Sequence, residues 1–232
     1  GSLQGATGSC NDNYQYILRK YPKGIVPMLR IISRIAGGDG TGGEVLEHLL
    51  RGKGTELKKG SKDLRPVTTC QPILTYTGAV LNAVFIDRIR EVCGQEQLAM
   101  VKAGVEANGH IMRDAYEDDE GNIIGTIDLK NAYGMPFQQK IMAAIKEQLP
   151  ELGPYTHMQM GKKPAEIVFY NKKIGATQVE SQTRGVPQGG SLSTAQFCIV
   201  LSEIIKILIA EFGDQATIAG LSDNLSVGAT PE

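Results

Sequence analysis

The 232-residue sequence predicts an α+β fold in which an antiparallel sheet packs on helices, and three stretches carry that prediction. IIGTIDL, residues 123–129, is β-branched and apolar up to Asp128, so it reads as a buried strand ending in a carboxylate. GLSDNLSVG, residues 220–228, sets Asp223 among apolar residues (Ile218 just upstream, then Leu221, Leu225 and Val227) that alternate with small or polar ones. Such alternation predicts a strand, a turn and a second strand, with the carboxylate at the tip. Between these two stretches a glycine-rich loop, RGVPQGGSLS, runs into an apolar helix over 193–212 that stops at Gly213.

The remaining elements can be justified in order. Residues 11–35 read as helical pieces broken near Pro22 and Pro27. GGDGTGG formally contains GxGxxG at Gly38, Gly40 and Gly43, but a helix-like run precedes it (Met28, Leu29, Ile31, Ile32, Ile35). Without the strand-to-helix turn that makes such glycines useful, a flexible link between helices is the better reading. Residues 51–65, RGKGTELKKGSKDLR, are basic and glycine-rich, which predicts a loop or hairpin reaching for phosphates, or simply a solvated loop. A long helix over 73–93 places Val80, Leu81, Val84, Phe85 and Ile89 on one side, and a second helix at about 97–117 leads to the acidic turn EDDEGN. MPFQQKIMAAIKEQL is an amphipathic helix, and AEIVFYNKKIGATQVES a hairpin turning at 171–175.

The composition, 41% hydrophobic and 21% charged, excludes a disordered chain, a collagen-like repeat and a coiled coil. No apolar run reaches the roughly 18 residues of a spanning helix, so no membrane partner is expected. Cys10, Cys70, Cys93 and Cys198 have no CxxC spacing, which predicts neither a zinc site nor a disulfide framework but an intracellular, reducing compartment, nuclear or cytoplasmic. The N-terminus lacks the basic start and apolar stretch of a signal peptide. Net charge is −1, yet it is unevenly spread: residues 1–75 hold 11 Lys and Arg against 6 Asp and Glu, and residues 76–232 hold 13 against 19. A basic lobe beside an acidic one suits a protein that grips a polyanion with one part and binds cations with the other; ordinary surface scatter is the alternative.

Taken together, the order of elements resembles the palm of a reverse transcriptase. TIDLKNAYGMP is similar to the family's first catalytic motif, RGVPQGGSLST to its second, GLSDNLSVG to its third, and LRPVT at 64–68 to the fingers segment that meets the incoming nucleotide. The closest resemblance is to reverse transcriptases of non-LTR retrotransposons, over about residues 50–232. It implies a right-hand polymerase fold, with a fingers-like basic region at 1–75, a palm at 76–232, fingers–palm helices within 73–117, and no thumb. It also implies an RNA-directed DNA polymerase whose partners are an RNA template, a nucleic-acid primer and dNTPs. The oligomeric state is left open.

The chemistry accounts for the residue types. Nucleotide addition is an in-line displacement at phosphorus in which two Mg²⁺ ions, or Mn²⁺ as a substitute, stabilise the attacking 3′-oxygen and the leaving pyrophosphate. Such hard cations take carboxylates plus substrate phosphates. Taken singly, Asp128 and Asp223 read as ordinary turn aspartates; taken with the motif order, they read as the metal-bridging pair. The resemblance adds the backbone carbonyl of Leu129 as a metal ligand. It makes Tyr133 the ring that packs under the sugar and excludes a 2′-hydroxyl, with core packing as its rival; this reduces the case for an RNA-directed RNA polymerase. Gln188 and Gly189 fall where backbone approaches nucleotide and template, unless they simply cap the next helix. Arg65 suits bidentate pairing with a triphosphate, and Lys58, Lys59 and Lys62 are weaker candidates for the same grip. Asn224 departs from the pattern, because most relatives carry a second aspartate there. An amide keeps an acceptor oxygen and loses the charge, which implies weakened metal affinity. The alternative reading is a catalytically degenerate palm that binds RNA or protein.

Overall fold

A computed structural model describes residues 16, 19–39, 42–59, 63–118, 121–171 and 175–230. Pro22 opens a 3₁₀ turn, Pro22–Gly24, that leads into α1 (Ile25–Ala36). Pro27 does not break this helix. It is the third residue of α1, where backbone N–H groups have no intrahelical acceptor, so the missing donor disrupts nothing. A glycine link leads to α2 (Glu44–Leu50), whose Glu44 and Glu47 lie in the first turn, where the helix dipole favours negative charge. The basic stretch that follows is a hairpin: β1 (Gly52–Lys59) pairs antiparallel with β2 (Asp63–Thr69), in register from Lys53↔Thr69 to Lys59↔Asp63. Lys62 lies outside the described residues, as do the side chains of Lys58, Lys59 and Arg65.

Helix α3 (Pro72–Cys93) buries Leu74, Thr77, Gly78, Leu81, Ile89 and Cys93. This corrects the expected apolar side. Val80 and Val84 face solvent, Val84 being 67% exposed, because the three- and four-residue steps through 74, 77, 78 and 81 set the buried stripe elsewhere. The second helix starts later than expected: a 3₁₀ turn, Leu98–Met100, precedes α4 (Gly104–Glu117). Strand β3 (Ile123–Asp128) comes next, then α5 (Gln138–Gln148), which buries Gln138, Ile141, Ala144 and Ile145 at amphipathic spacing. The short α6 (Gly153–Met160) has too few residues for periodicity to announce it. A hairpin of β4 (Ala165–Asn171) and β5 (Ala176–Gln182) leads through the glycine-rich loop to α7 (Ser193–Phe212), which ends at Gly213 with φ +53°. Strands β6 (Ala216–Leu221) and β7 (Asn224–Ala229) follow.

The strands form two sheets. One has the order β2-β1-β4-β5, closed by a short parallel pairing of β1 with β4 from Gly52↔Ile167 to Gly54↔Phe169. The other is antiparallel throughout, with the order β3-β7-β6. Helix α7 is central, packed by α3, α5 and β6, and this accounts for the burial of most of its first half, from Ser193 to Ser202. Ile89, Ile141, Ile145, Leu149, Leu152, Met158, Leu192, Ile199 and Ile205 are all essentially inaccessible and form one continuous core. Each such side chain contributes about 1.5–3 kcal/mol of burial free energy, which fixes the helices on which the second sheet rests.

Strand β3 is not buried. All six of its residues are exposed, Ile127 to 49%. The reason lies in the topology: β3 is an edge strand, and α4 covers mainly the other two strands, β7 and β6. β-Branched residues predict a pleated strand, but not what lies across its faces.

Candidate functional site

The three-stranded sheet brings the ends of β3 and β7 together. Asp128, the last residue of β3, is the cross-strand partner of Asn224, the first of β7. A two-residue turn, Ser222–Asp223, joins β6 to β7, with Ser222 in the left-handed region at φ +59°. The ladder continues one bond past the end of β3, where the Leu129 N–H donates to the Asp223 carbonyl at 3.1 Å. The backbone after Asp128 is thus held against the turn that carries Asp223. Directly opposed residues hold their Cβ atoms about 4.5–5.5 Å apart, so the Asp128 carboxylate and the Asn224 amide share one small patch of a sheet face.

Asp128 and Asn224 are exposed, and Asp223 is half-buried. Neither carboxylate has a side-chain hydrogen bond or ion pair within the described residues, which leaves its oxygens free to ligate. Among the described residues no group of three His, Cys, Asp or Glu side chains is placed to hold a metal. The donor set here is two carboxylates and an amide. Those donors fit a hard divalent cation whose shell is completed by water and substrate phosphate, and they do not make an all-protein cage. The half-buried Leu129 follows Asp128 directly.

Tyr133 lies beside this cluster, in the 3₁₀ turn Ala132–Gly134. Its hydroxyl donates to Thr194 Oγ1 at 3.0 Å and shares a 2.9 Å hydrogen bond with Ser222 Oγ. Its ring stacks on Phe197 of α7, with centroids 4.9 Å apart and planes 17° from parallel. The ring is therefore core packing on one side and a neighbour of the Asp223 turn at its tip.

The glycine-rich loop is stapled at both ends. On one side the Gly185 N–H donates to the Pro136 carbonyl at 2.7 Å and the Val186 N–H to the Tyr133 carbonyl at 2.8 Å, while the Arg184 guanidinium lies 4.2 Å over the Phe137 ring. On the other, the Gln188 carbonyl accepts from the Thr68 N–H of β2 at 2.7 Å. Gly189 follows with φ +116°, and a Cβ there would lie 2.6 Å from the Thr68 carbonyl oxygen, so close approach to β2 requires a glycine. Asp128, Asp223, Asn224, Leu129 and Tyr133 thus form one cluster, to which Gln188 and Gly189 are linked through the loop. Lys58 lies four residues along β1 from Gly54, the partner of Thr68, which is about 13 Å at strand rise. The backbone of Arg65 faces Leu57 near that far end.

Sequence reasoning missed three residues that support the turn: Ser222, Thr194 and the buried Gln97, whose side chain accepts from the Ser222 N–H at 2.9 Å. A hydroxyl next to Asp223 was the one visible signal. Among the described residues, Cys70, Cys93 and Cys198 are free thiols that belong to no group placed to hold a metal. Burial pushes the Cys93 thiol up to about 12, and burial, then the neighbouring Cys93 and Asp223, push Cys198 higher still.

The sequence matches no protein-family model, and none of the curated proteins matches it. Solved structures do resemble the fold. Telomerase from Candida albicans, in complex with a TWJ fragment of telomeric RNA, superposes with a TM-score of 0.58 at 12% identity over 82% of this chain and 40% of that one. Apo telomerase from Candida tropicalis gives 0.56 at 12% identity over 79% and 40%. The RNA polymerase complex inside a dsRNA virus gives 0.54 at 8% identity over 88% and 20%. The chain spans about two-fifths of the length of these telomerase chains. At such identities the likeness speaks for architecture alone: this is an α+β fold similar to the folds of these telomerases and of the viral RNA polymerase complex.

Proposed function

We propose that the chain is the fingers and palm portion of an RNA-directed DNA polymerase of the non-LTR reverse transcriptase type, with the fingers in residues 1–75 and the palm in 76–232. The observation that carries this reading is the register that sets Asp128 opposite Asn224 and ties Leu129 to the Asp223 carbonyl, bringing to one sheet end two carboxylates with no side-chain partner among the described residues. Asp128 and Asp223, with the Leu129 carbonyl, would hold the divalent ions. Bound there, Mg²⁺ or Mn²⁺ would supply charge neutralisation at the attacking 3′-oxygen and the leaving pyrophosphate. Tyr133 acts as the sugar gate. Its ring is held by Phe197 and its hydroxyl by Thr194 and Ser222, so it cannot swing aside to admit a 2′-hydroxyl. Gln188 and Gly189 line the path of nucleotide and template, and Arg65, with Lys58 and Lys59, meets phosphates from the fingers hairpin. RNA template, primer and dNTPs are the partners, and the telomerase neighbours solved with RNA support a nucleic-acid partner in general.

The test is single-nucleotide addition to a primer annealed on RNA, in Mn²⁺, by the wild-type chain and by Asp128→Ala. The proposal expects dNTP addition that Asp128→Ala abolishes. Binding of RNA without addition by the wild-type chain, or addition that survives Asp128→Ala, would favour the degenerate, non-catalytic palm. That rival draws on Asn224, which leaves the site one carboxylate short.

A further inference from the structure

Gln97 is only 1% exposed, and none of the chemistry above uses it. Its surroundings are specific. The segment at 96–97 joins the free edge of β6: Gln97 forms a parallel bridge with Gly220, and the Gly220 N–H donates to the Glu96 carbonyl at 2.6 Å. Beyond that point the backbone cannot continue along β6, because it turns into the 3₁₀ helix Leu98–Met100, which Gln97 caps by accepting from the Ala99 N–H at 3.1 Å. The side chain continues in its place. Oε1 accepts from the Ser222 N–H at 2.9 Å, and Nε2 donates to the Ser222 carbonyl at 3.4 Å, as a strand neighbour would. Ser222 needs such support, since a non-glycine residue at φ +59° is held there against its own preference. With Ser222 Oγ bonded to Tyr133, every polar group of Ser222 is engaged, and the adjacent Asp223 carbonyl is bound to Leu129.

We propose that Gln97 is a positioning residue, whose side-chain amide fixes the Ser222–Asp223 turn and thereby aims the Asp223 carboxylate toward Asp128. A methionine would fill the same volume without the cost of burying an amide, so a role confined to packing does not explain the residue type. The inference rests on the two-carboxylate reading above for its consequence, though not for the turn itself.

The experiment compares the wild-type chain with Gln97→Met, which keeps the volume and removes both hydrogen bonds to Ser222 together with the cap on Ala99, and Gln97→Glu, which keeps the acceptor and loses the donor. Two quantities are read: amide hydrogen exchange at Ser222 relative to Ile199 in the core of α7, and Mn²⁺ affinity. The expectation for Gln97→Met is Ser222 exchange faster by on the order of tenfold relative to Ile199, with Mn²⁺ affinity reduced severalfold; Gln97→Glu should fall between it and the wild type in exchange. Unchanged exchange at Ser222, or an equal rise at Ser222 and Ile199 that marks general loosening, overturns the proposal. Faster Ser222 exchange with wild-type Mn²⁺ affinity overturns the claim that the turn aims the carboxylate. A wild-type chain that binds no Mn²⁺ strikes the two-carboxylate reading instead, and the Ser222 exchange result then decides for or against Gln97 alone.

Discussion

Replacing Asn224 with aspartate puts a charge opposite Asp128, and the register fixes both the sign and the size of the effect. Asp128 and Asn224 are directly paired and both exposed, so water screens them. Two unit charges about 5 Å apart in water interact by about 0.8 kcal/mol. Without metal, Asn224→Asp therefore adds about 1 kcal/mol of repulsion, which lowers the melting temperature by about 2–4 °C in a domain of this size. A divalent cation at the same distance gains about twice the pair energy from the new carboxylate, about 1.7 kcal/mol, or about a tenfold rise in affinity after salt screening. One substitution should thus destabilise the metal-free chain and tighten metal binding. Thermal melting without divalent ions and a Mn²⁺ titration, read from the electron paramagnetic resonance of the free ion, measure the two effects. A variant that is more stable without metal, or that binds Mn²⁺ no more tightly than the wild type, would refute the reasoning.

Other expectations follow from the same contacts. Tyr133→Phe keeps the stacked ring and loses the bonds to Thr194 and Ser222; urea denaturation should show a loss of about 1–2 kcal/mol with the preference for deoxyribonucleotides retained, whereas Tyr133→Ala should raise ribonucleotide use. Gly189→Ala meets both a φ of +116° and the Thr68 carbonyl, so it should cost about 1–3 kcal/mol in urea denaturation; an unchanged midpoint would mean that the loop does not depend on that approach. Cys93 and Cys198 are fully buried, with thiols pushed upward by burial, so a maleimide at pH 8 should leave both unlabelled by peptide mass mapping until the protein is denatured.

Much of the site was legible because its signals are local. The alternation around Asp223 predicts the hairpin, and the structure pairs Leu221 with Asn224 across a two-residue turn. Gly213 ends α7 where the sequence says it should, with the positive φ that a glycine provides. What escaped depends on partners far along the chain. Gln97 reaches a turn 125 residues away, and no spacing near residue 97 announces it. The parallel pairing of β1 with β4 joins two hairpins that each look complete alone. The exposure of Ile127 and of Val84 shows the complementary limit: β-branched runs and apolar spacing predict strand and helix, but burial depends on which neighbour covers each face.

The central claim is that Asp128 and Asp223 together hold a divalent cation, and paramagnetic broadening tests it most directly. In a ¹⁵N-labelled chain titrated with substoichiometric Mn²⁺, the account predicts that the amides of residues 128–129 and 222–225 broaden first, and that Asp128→Ala abolishes this selectivity. Broadening centred elsewhere, such as the acidic turn after α4, or early loss of the 222–225 amides in the Asp128→Ala chain, would contradict it.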